Sequence, residues 1–344
     1  DQSSGFNVDT NMCAGIGIQY NDFKFDYAYH KYGSVTENDT NYLSLSYSAP
    51  AFRLAEAPPP PPPEKKEYLQ ITAPTDKLIT HDAEVFIKGI LLNVKDVGAL
   101  TVNSTNAAFS SDGTFEAVYP LLLGKNSFEI KVLDSKDQIT ESTLESTKIR
   151  ILRLAQFRDV PEGYWAKEPI ELLATLGIIG GYPNGTFQPD KTINRAELTA
   201  LLVRAKNPAT PEAVDTAFSD VTSKHWASFF IKNGAESGLV TGYPDKTFQP
   251  AKSLNRAEGI TIFSRFAELK LPKELLEGPF PDVPGRHWAA KDVSAARSAG
   301  MLMYLTDKPF EPTKELTRAE AAEILSKTPF AVLKMSSLKD FGSY

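Results

Sequence analysis

Three times in the C-terminal half of the chain an arginine follows an Asn or Thr and precedes an alanine and a glutamate. The copies are Asn194-Arg195-Ala196-Glu197, Asn255-Arg256-Ala257-Glu258 and Thr317-Arg318-Ala319-Glu320, with the arginines 61 and 62 residues apart. Asn or Thr at a helix N-cap with Glu at N3 is a capping box, in which each side chain satisfies the other end's free backbone N–H. Alanine between them is a small helix former. Neither role accounts for the arginine, because a cation at N1 opposes the helix dipole. Arg195, Arg256 and Arg318 therefore call for a partner anion. Two sources stand open: a carboxylate from a neighbouring repeat, or an external anion held by the guanidinium fork beside free N–H groups of the helix start.

Each signature closes a longer frame. It opens with Phe-x-Asp-Val at Phe157, Phe218 and Phe280 and reaches a Trp-Ala pair at Trp165, Trp226 and Trp288. Self-similarity at a fixed period means one structural unit used three times. In the first copy Ala166, Ile170, Leu173 and Gly177 fall at helical spacing, and Gly177 suits the C-terminal cap. The segment Gly181-Tyr182-Pro183-Asn184-Gly185-Thr186-Phe187-Gln188-Pro189 is dense in turn formers and returns Phe187 to the core. A second helix begins at Asn194 with the stripe Leu198, Leu201, Leu202 and Ala205; Gly259, Ile262, Phe263 and Phe266 repeat it. Asp159, Asp220 and Asp282, ahead of each first helix, are ready caps.

The chain has 344 residues, 42% of them apolar, and a formal net charge of -6 without a basic stripe, which argues against nucleic acid as a partner. Cys13 is the only cysteine, so no internal disulfide forms, and no Cys/His cluster has metal-ligand spacing. Neither a metal nor a cofactor is implied. An envelope hydrolase is weakly supported, because no motif sets two carboxylates across a cleft and the four histidines (His30, His81, His225, His287) stand in no Ser/His/Asp pattern. The chain is read as a non-enzyme. It starts at Asp1 without a signal-peptide pattern and reads as a mature product or a fragment. No apolar run is long enough for a transmembrane helix, which leaves a β-barrel open.

The N-terminal part alternates with period two: Ile16, Ile18 and Tyr20, then Phe23, Phe25, Tyr27 and Tyr29, and, after a polar turn over 33–41, Tyr42-Leu43-Ser44-Leu45-Ser46-Tyr47. Two or three strands with one greasy face are expected, and they need a partner, since an isolated hairpin is marginal in water. An edge hairpin on a neighbouring domain and the closing strands of a barrel fit equally. Gly15-Ile16-Gly17-Ile18-Gln19-Tyr20, Phe23 to Tyr29 and Tyr42 to Tyr47 resemble the last strands of outer-membrane barrels of the PorV/FadL-like type, which implies an outer-membrane association through residues 1–50. Pro58 to Pro63 form a stiff spacer rising roughly 3.1 Å per residue, about 20 Å in all. Short β runs at Leu69–Ile71, Glu84–Ile87, Ala99–Val102, Thr114–Val118, Ser127–Val132 and Thr147–Ile151, separated by turns at Asp112-Gly113 and Gly124-Lys125-Asn126, predict an all-β sandwich. This stretch resembles bacterial immunoglobulin-like spacer domains.

The threefold frame itself resembles the S-layer homology domain, in order and in three tandem copies over residues 157 to about 329. The resemblance implies an all-α, pseudo-threefold helical domain whose grooves bind peptidoglycan or an attached secondary cell-wall polysaccharide, often one bearing pyruvate ketals. It favours an external anion for Arg195, Arg256 and Arg318 and makes Asn194, Asn255, Thr317, Glu197, Glu258 and Glu320 part of the ligand site. Gly181 and Gly242 would let a sugar approach the backbone. Trp165, Trp226 and Trp288 are read first as core residues and second as sugar platforms. Tyr304 falls where Gly181 and Gly242 sit, so it is expected to plug the third groove and to make Arg318 the least important arginine. The expected organisation is strands over 1–50, a proline-rich linker over 51–67, the sandwich over 68–155, repeats over 156–206, 217–268 and 279–330, and a tail over 331–344. Membrane strands, strut and wall-binding repeats together read as a bacterial cell-envelope tether at the periplasm, outer membrane or cell surface. The alternative is an S-layer subunit or wall-anchored adhesin whose sandwich binds an external ligand.

Overall fold

The computed structural model describes residues 12–31, 40–47, 66–134, 143–206 and 210–344. They fall into two compact units, Asp1–Lys65 and Lys66–Tyr344. The proline run and the turn before Thr40 lie outside the described residues.

In the first unit, β1 (Met12–Tyr20), β2 (Phe23–Lys31) and β3 (Thr40–Tyr47) form an antiparallel sheet in that order. The register sets Ile16 beside Tyr27 and Leu43, Ile18 beside Phe25 and Leu45, and Tyr20 beside Phe23 and Tyr47. Directly opposed residues share a face, so the alternation in the sequence becomes one apolar face and one small, polar face.

The second unit opens with eight strands: β4 (Leu69–Ala73), β5 (Leu78–Thr80), β6 (Glu84–Leu91), β7 (Val97–Val102), β8 (Thr105–Ala107), β9 (Thr114–Pro120), β10 (Gly124–Asp134) and β11 (Thr143–Arg153). They make a sheet β4-β6-β9 and a sheet β5-β11-β10-β7-β8, in which β5 runs parallel to β11. Ile87 and Phe115 from the first sheet meet Leu100, Ile130 and Ile151 from the second in one core. The strands β5 and β8 escaped the sequence reading because three residues are too short for a period to show. Arg150 on β11 pairs with Asp76 beside β5, and the guanidinium holds the Asp76 carboxyl down at about 2. A depressed carboxylate contributes stability that is present above its ordinary value and lost as pH falls through the folded one. The wild-type chain should lose this contribution between about pH 4 and pH 2, whereas Asp76→Asn should flatten that part of an acid-unfolding curve.

Six helices follow: α1 (Lys167–Thr175), α2 (Arg195–Lys206), α3 (Ser228–Glu236), α4 (Arg256–Phe266), α5 (Ala290–Ser298) and α6 (Arg318–Ser326). Each repeat supplies two. Packing is cyclic: α2 lies on α3, α4 on α5, and α6 returns to α1. The backbone closes the same ring, because Ile193 N–H donates to Leu316 O, Leu316 N–H to Leu254 O, and Leu254 N–H to Ile193 O. β-bridges Thr192–Thr317, Asn194–Ser253 and Asn255–Glu315 join the three helix starts, so the helical part is not purely α. Phe187, Phe248 and Phe310 are buried at the centre, each within 5.5 Å of its own repeat's Phe157, Phe218 or Phe280.

Residues 331–344, expected as a tail, are ordered. Helix α7 (Pro329–Lys339) and a 3-10 turn at Phe341–Ser343 pack between the repeats and the sheets. Leu338 meets Leu152 of β11 and Leu172 of α1, Lys339 pairs with Glu168, and Arg150 donates to Phe341 O at 3.0 Å. Pro329 at N1 and Thr328 as N-cap start this helix.

Candidate ligand grooves between the repeats

All three capping boxes form. Asn194 Oδ1 accepts from Glu197 N–H at 2.8 Å while Glu197 accepts from Asn194 N–H at 3.1 Å. Asn255 with Glu258 and Thr317 with Glu320 do the same. One carboxylate oxygen of each glutamate is thereby committed to its own helix start. The next two N–H groups are also taken: Arg195 and Ala196 donate to Lys252 O and Pro250 O, Arg256 and Ala257 to Lys314 O and Pro312 O, and Arg318 and Ala319 to Lys191 O and Pro189 O. The expectation of free helix N–H groups beside each arginine is therefore overturned. Ring closure uses them.

The arginines remain, and each reaches into the next repeat. Arg195 Nε donates to Phe248 O and Nη2 to Thr241 O, both at 2.9 Å. Arg318 repeats the pattern on the first repeat, with Nε to Phe187 O at 2.9 Å and Nη2 to Gly180 O at 2.8 Å. Both guanidiniums lie over rings, Arg195 over Tyr243 and Phe248 and Arg318 over Tyr182 and Phe187. Among the described residues neither has a carboxylate at ion-pair distance, and Nη1 of each has no protein acceptor. Burial lowers the Arg195 guanidinium from its ordinary value, with Tyr243, Glu258 and Asp220 pulling the other way. It stays a cation, since an arginine cannot be deprotonated in a protein.

Arg256 is different. It is 5% exposed and donates to Phe310 O at 2.8 Å, to Glu311 Oε2 at 2.9 Å, and through Nε and Nη2 to Glu320 Oε1. Burial works against its charge, but the hydrogen bonds and charge of Glu320 hold the guanidinium above its ordinary value. Of the two uses left open, this arginine takes the internal carboxylate.

Tyr304 stands over the Arg256 groove rather than the Arg318 groove, because each arginine serves the loop of the following repeat. Its ring stacks on Trp165 at 5.3 Å and 16°. It does not fill the groove: a cleft of about 520 Å³ remains, lined by Trp165, Arg256, Tyr304, Glu311, Glu320 and Glu323. Its buried hydroxyl lacks a hydrogen-bond partner, and burial, then the Glu320 charge, pushes its pKa up. The plug expected from the sequence is thus corrected to a change of charge. The arginine is neutralised, and the cleft sets Glu311, Glu320 and Glu323 against Arg256, Lys308 and Lys314.

Trp165, Trp226 and Trp288 are 48%, 55% and 62% exposed, which overturns the core reading. The alanine after each, Ala166, Ala227 and Ala289, takes the fully buried position at the helix start and turns the indole outward. Trp226 lines the Arg318 groove, a cleft of about 320 Å³, with Gly180, Tyr182, Glu197 and Arg204. Gly181 also lines the Arg318 groove, and packing leaves no room for a side chain there or at Gly242. A Cβ at Gly181 would lie 2.3 Å from Phe157 Cε1 and 2.7 Å from Thr186 O, and one at Gly242 would meet Phe218 in the same way. Gly181→Ala should therefore cost about 1–3 kcal/mol by overpacking, read as a lower denaturation midpoint at unchanged slope.

Asp159, Asp220 and Asp282 are not helix caps. Asp159 accepts from Phe187 and Gln188 N–H at 2.7 Å each, and Asp220 and Asp282 hold the matching pairs Phe248–Gln249 and Phe310–Glu311. Each thus fixes the carbonyl that the arginine of the preceding repeat in the ring reads. The sequence reading missed Tyr182 and Tyr243, whose hydroxyls accept from Lys191 and Lys252 at 2.9 and 3.0 Å, and it missed Arg204 and Arg265. The signal was present: both tyrosines recur five residues before the buried phenylalanine, and both arginines nine residues after the signature arginine.

Residues 156–199, 217–258 and 279–322 match the S-layer homology domain. With their cyclic packing and shared signature, the three repeats are tandem S-layer homology domains. A cellulosome-anchoring protein of Acetivibrio thermocellus is 36% identical over 143 residues, 40% of this chain and 31% of that protein. An S-layer protein of Bacillus licheniformis is 30% identical over 176 residues, covering 50% of this chain and 20% of the relative. An amylopullulanase of Thermoanaerobacterium thermosulfurigenes is 30% identical over 255 residues, 72% of this chain and 14% of that enzyme. Each alignment covers less than a third of the relative. The shared segment accompanies anchoring, S-layer and enzyme proteins alike, so it is not tied to one catalytic activity.

Proposed function

We propose that the chain is a non-catalytic cell-envelope anchor whose Arg195 and Arg318 grooves hold an anionic wall polymer. The observation that carries this reading is the pair of guanidiniums fixed by backbone carbonyls and rings, with no carboxylate to neutralise them. A positioned, uncompensated cation over an exposed groove fits a carboxylate on a saccharide, which a pyruvate ketal would supply, and the guanidinium still has unused donors. Trp226 offers a flat apolar wall beside Arg318, and Trp288 holds the equivalent place in the repeat that follows Arg195's loop. The Arg256 groove is charge-balanced, with Arg256, Lys308 and Lys314 against Glu311, Glu320 and Glu323, and is structural. The ligand class is peptidoglycan or its attached polysaccharide, and the relatives named for anchoring and S-layers support a wall location. The sheets over 68–155 serve as an immunoglobulin-like spacer, and the strands within 1–50 belong to an outer-membrane element that the repeats tie to the wall.

Co-sedimentation of the chain with purified sacculi, before and after removal of acid-labile polymer, tests the ligand class. Loss of retention after stripping is expected for an attached acidic polysaccharide. Undiminished retention would move the ligand to peptidoglycan itself.

A further inference from the structure

The sheet β1–β3 carries an exposed apolar face. Leu43, Leu45 and Ile16 on it are 68%, 71% and 65% exposed. The opposite face presents Gly15, Gly17, Gln19, Lys24, Asp26, Ser44 and Ser46, with Lys24 and Asp26 paired at 3.1 Å, and a single aromatic, Tyr42, beside Ala28. An apolar surface of this extent needs an occupant.

We propose that this face lies against lipid acyl chains and that the Asn21–Asp22 turn points to the side of the membrane on which the wall lies. The proposal rests on the reading of residues 1–50 as an outer-membrane element and adds to it the lipid-facing residues and their orientation. Strand length is the first support. The strands have 9, 9 and 8 residues, and a tilted strand crosses a bilayer with about 9–11. The order of side chains along the face is the second. The middle rows are Ile16–Tyr27–Leu43 and Ile18–Phe25–Leu45, aliphatic on the outer strands and aromatic on β2, while Tyr20, Phe23 and Tyr47 make an all-aromatic row at the turn end, with Phe23 and Tyr47 rings 4.7 Å apart. Aromatic rows at the edge of an aliphatic band mark the bilayer interface, and a small, charged opposite face suits a barrel interior.

The connections set the orientation. Membrane barrels join strands by short turns on the periplasmic side and by longer loops outside. Two residues join β1 to β2, and eight, 32–39, join β2 to β3. Tyr47 shares its row with Tyr20 and Phe23, so the chain leaves β3 at the short-turn end. The C-terminal end of β3 then lies on the periplasmic side, the side on which a wall-binding groove would find its ligand.

Single-cysteine variants of the full-length protein in a Cys13→Ser background test both parts. An environment-sensitive fluorophore at Leu43→Cys and Leu45→Cys should be quenched several-fold more by brominated phosphatidylcholine vesicles than at Ser44→Cys and Ser46→Cys. Equal quenching at all four positions would overturn the lipid face and leave a protein partner or a second copy as its cover. In intact cells Ser34→Cys should react with a membrane-impermeant maleimide, and Asp22→Cys only after the outer membrane is permeabilised. The reverse order would overturn the orientation. Two sites on each face guard against a single misfolded variant, and sacculus binding, read separately, distinguishes failure here from failure of wall anchoring.

Discussion

Replacing Arg256 by alanine should lower the stability of the second unit by about 3–5 kcal/mol, the range for removing one partner of a buried ion pair. The guanidinium is 5% exposed and Glu320 is 7% exposed. Truncation leaves the Glu320 carboxylate buried with only its capping bond to Thr317 N–H, and leaves Phe310 O without a donor. Arg256→Lys should recover little, because one ammonium cannot serve Glu320, Glu311 and Phe310 O from a single point. Urea unfolding followed by far-ultraviolet circular dichroism reads this directly. Retention on sacculi per folded molecule should not change, since this cation is already neutralised.

Arg195→Ala and Arg318→Ala should do the opposite. Each removes two hydrogen bonds to backbone carbonyls, a net of about 0.5–1.5 kcal/mol apiece, and leaves no buried carboxylate behind. Against an anionic ligand each removes a charge-assisted bond of about 1.5–3 kcal/mol, equivalent to about 10- to 150-fold in affinity per groove. The double variant should lose retention altogether, because the guanidinium of the third groove is already paired with Glu320 and Glu311. Co-sedimentation at fixed ionic strength checks this, and equal losses from Arg195→Ala, Arg318→Ala and an Arg256 variant corrected for folding would contradict the division among the grooves.

Much of this was legible in the residues. The capping boxes follow from local chemistry between positions three apart, and they formed as read. The strands of useful length and the apolar face of β1–β3 follow from period two. What was not legible is cyclic docking. Arg195 meets Thr241 and Phe248, and Arg318 meets Gly180 and Phe187, contacts that exist only once α6 packs on α1. The odd tyrosine of the third repeat was located correctly, yet its groove was assigned to the wrong arginine for that reason. The tryptophans were misread by bulk alone. A large side chain next to an alanine at a helix start loses the buried position when the start is too crowded for anything larger than a methyl. Gly181 and Gly242 were assigned to the ligand, although the nearest obstacle to a side chain there is the protein's own Phe157 or Phe218.

The ledger of charge in the grooves also explains why three similar sequences need not make three equal sites. Glu311 stands where the first two repeats have Gln188 and Gln249, and Lys327 where they have Arg204 and Arg265. Glu311 completes the neutralisation of Arg256, and Lys327 pairs with Glu323 at 3.2 Å. The glutamine-to-glutamate difference thus adds a second carboxylate to the Arg256–Glu320 pair.

Calorimetric titration of the full chain with a purified terminal fragment of the acid-labile wall polymer puts the division of the grooves to the most direct test. Two equivalents should bind, falling to one in Arg195→Ala and to one in Arg318→Ala. Binding of three equivalents, or of two that persist in both variants, would contradict it.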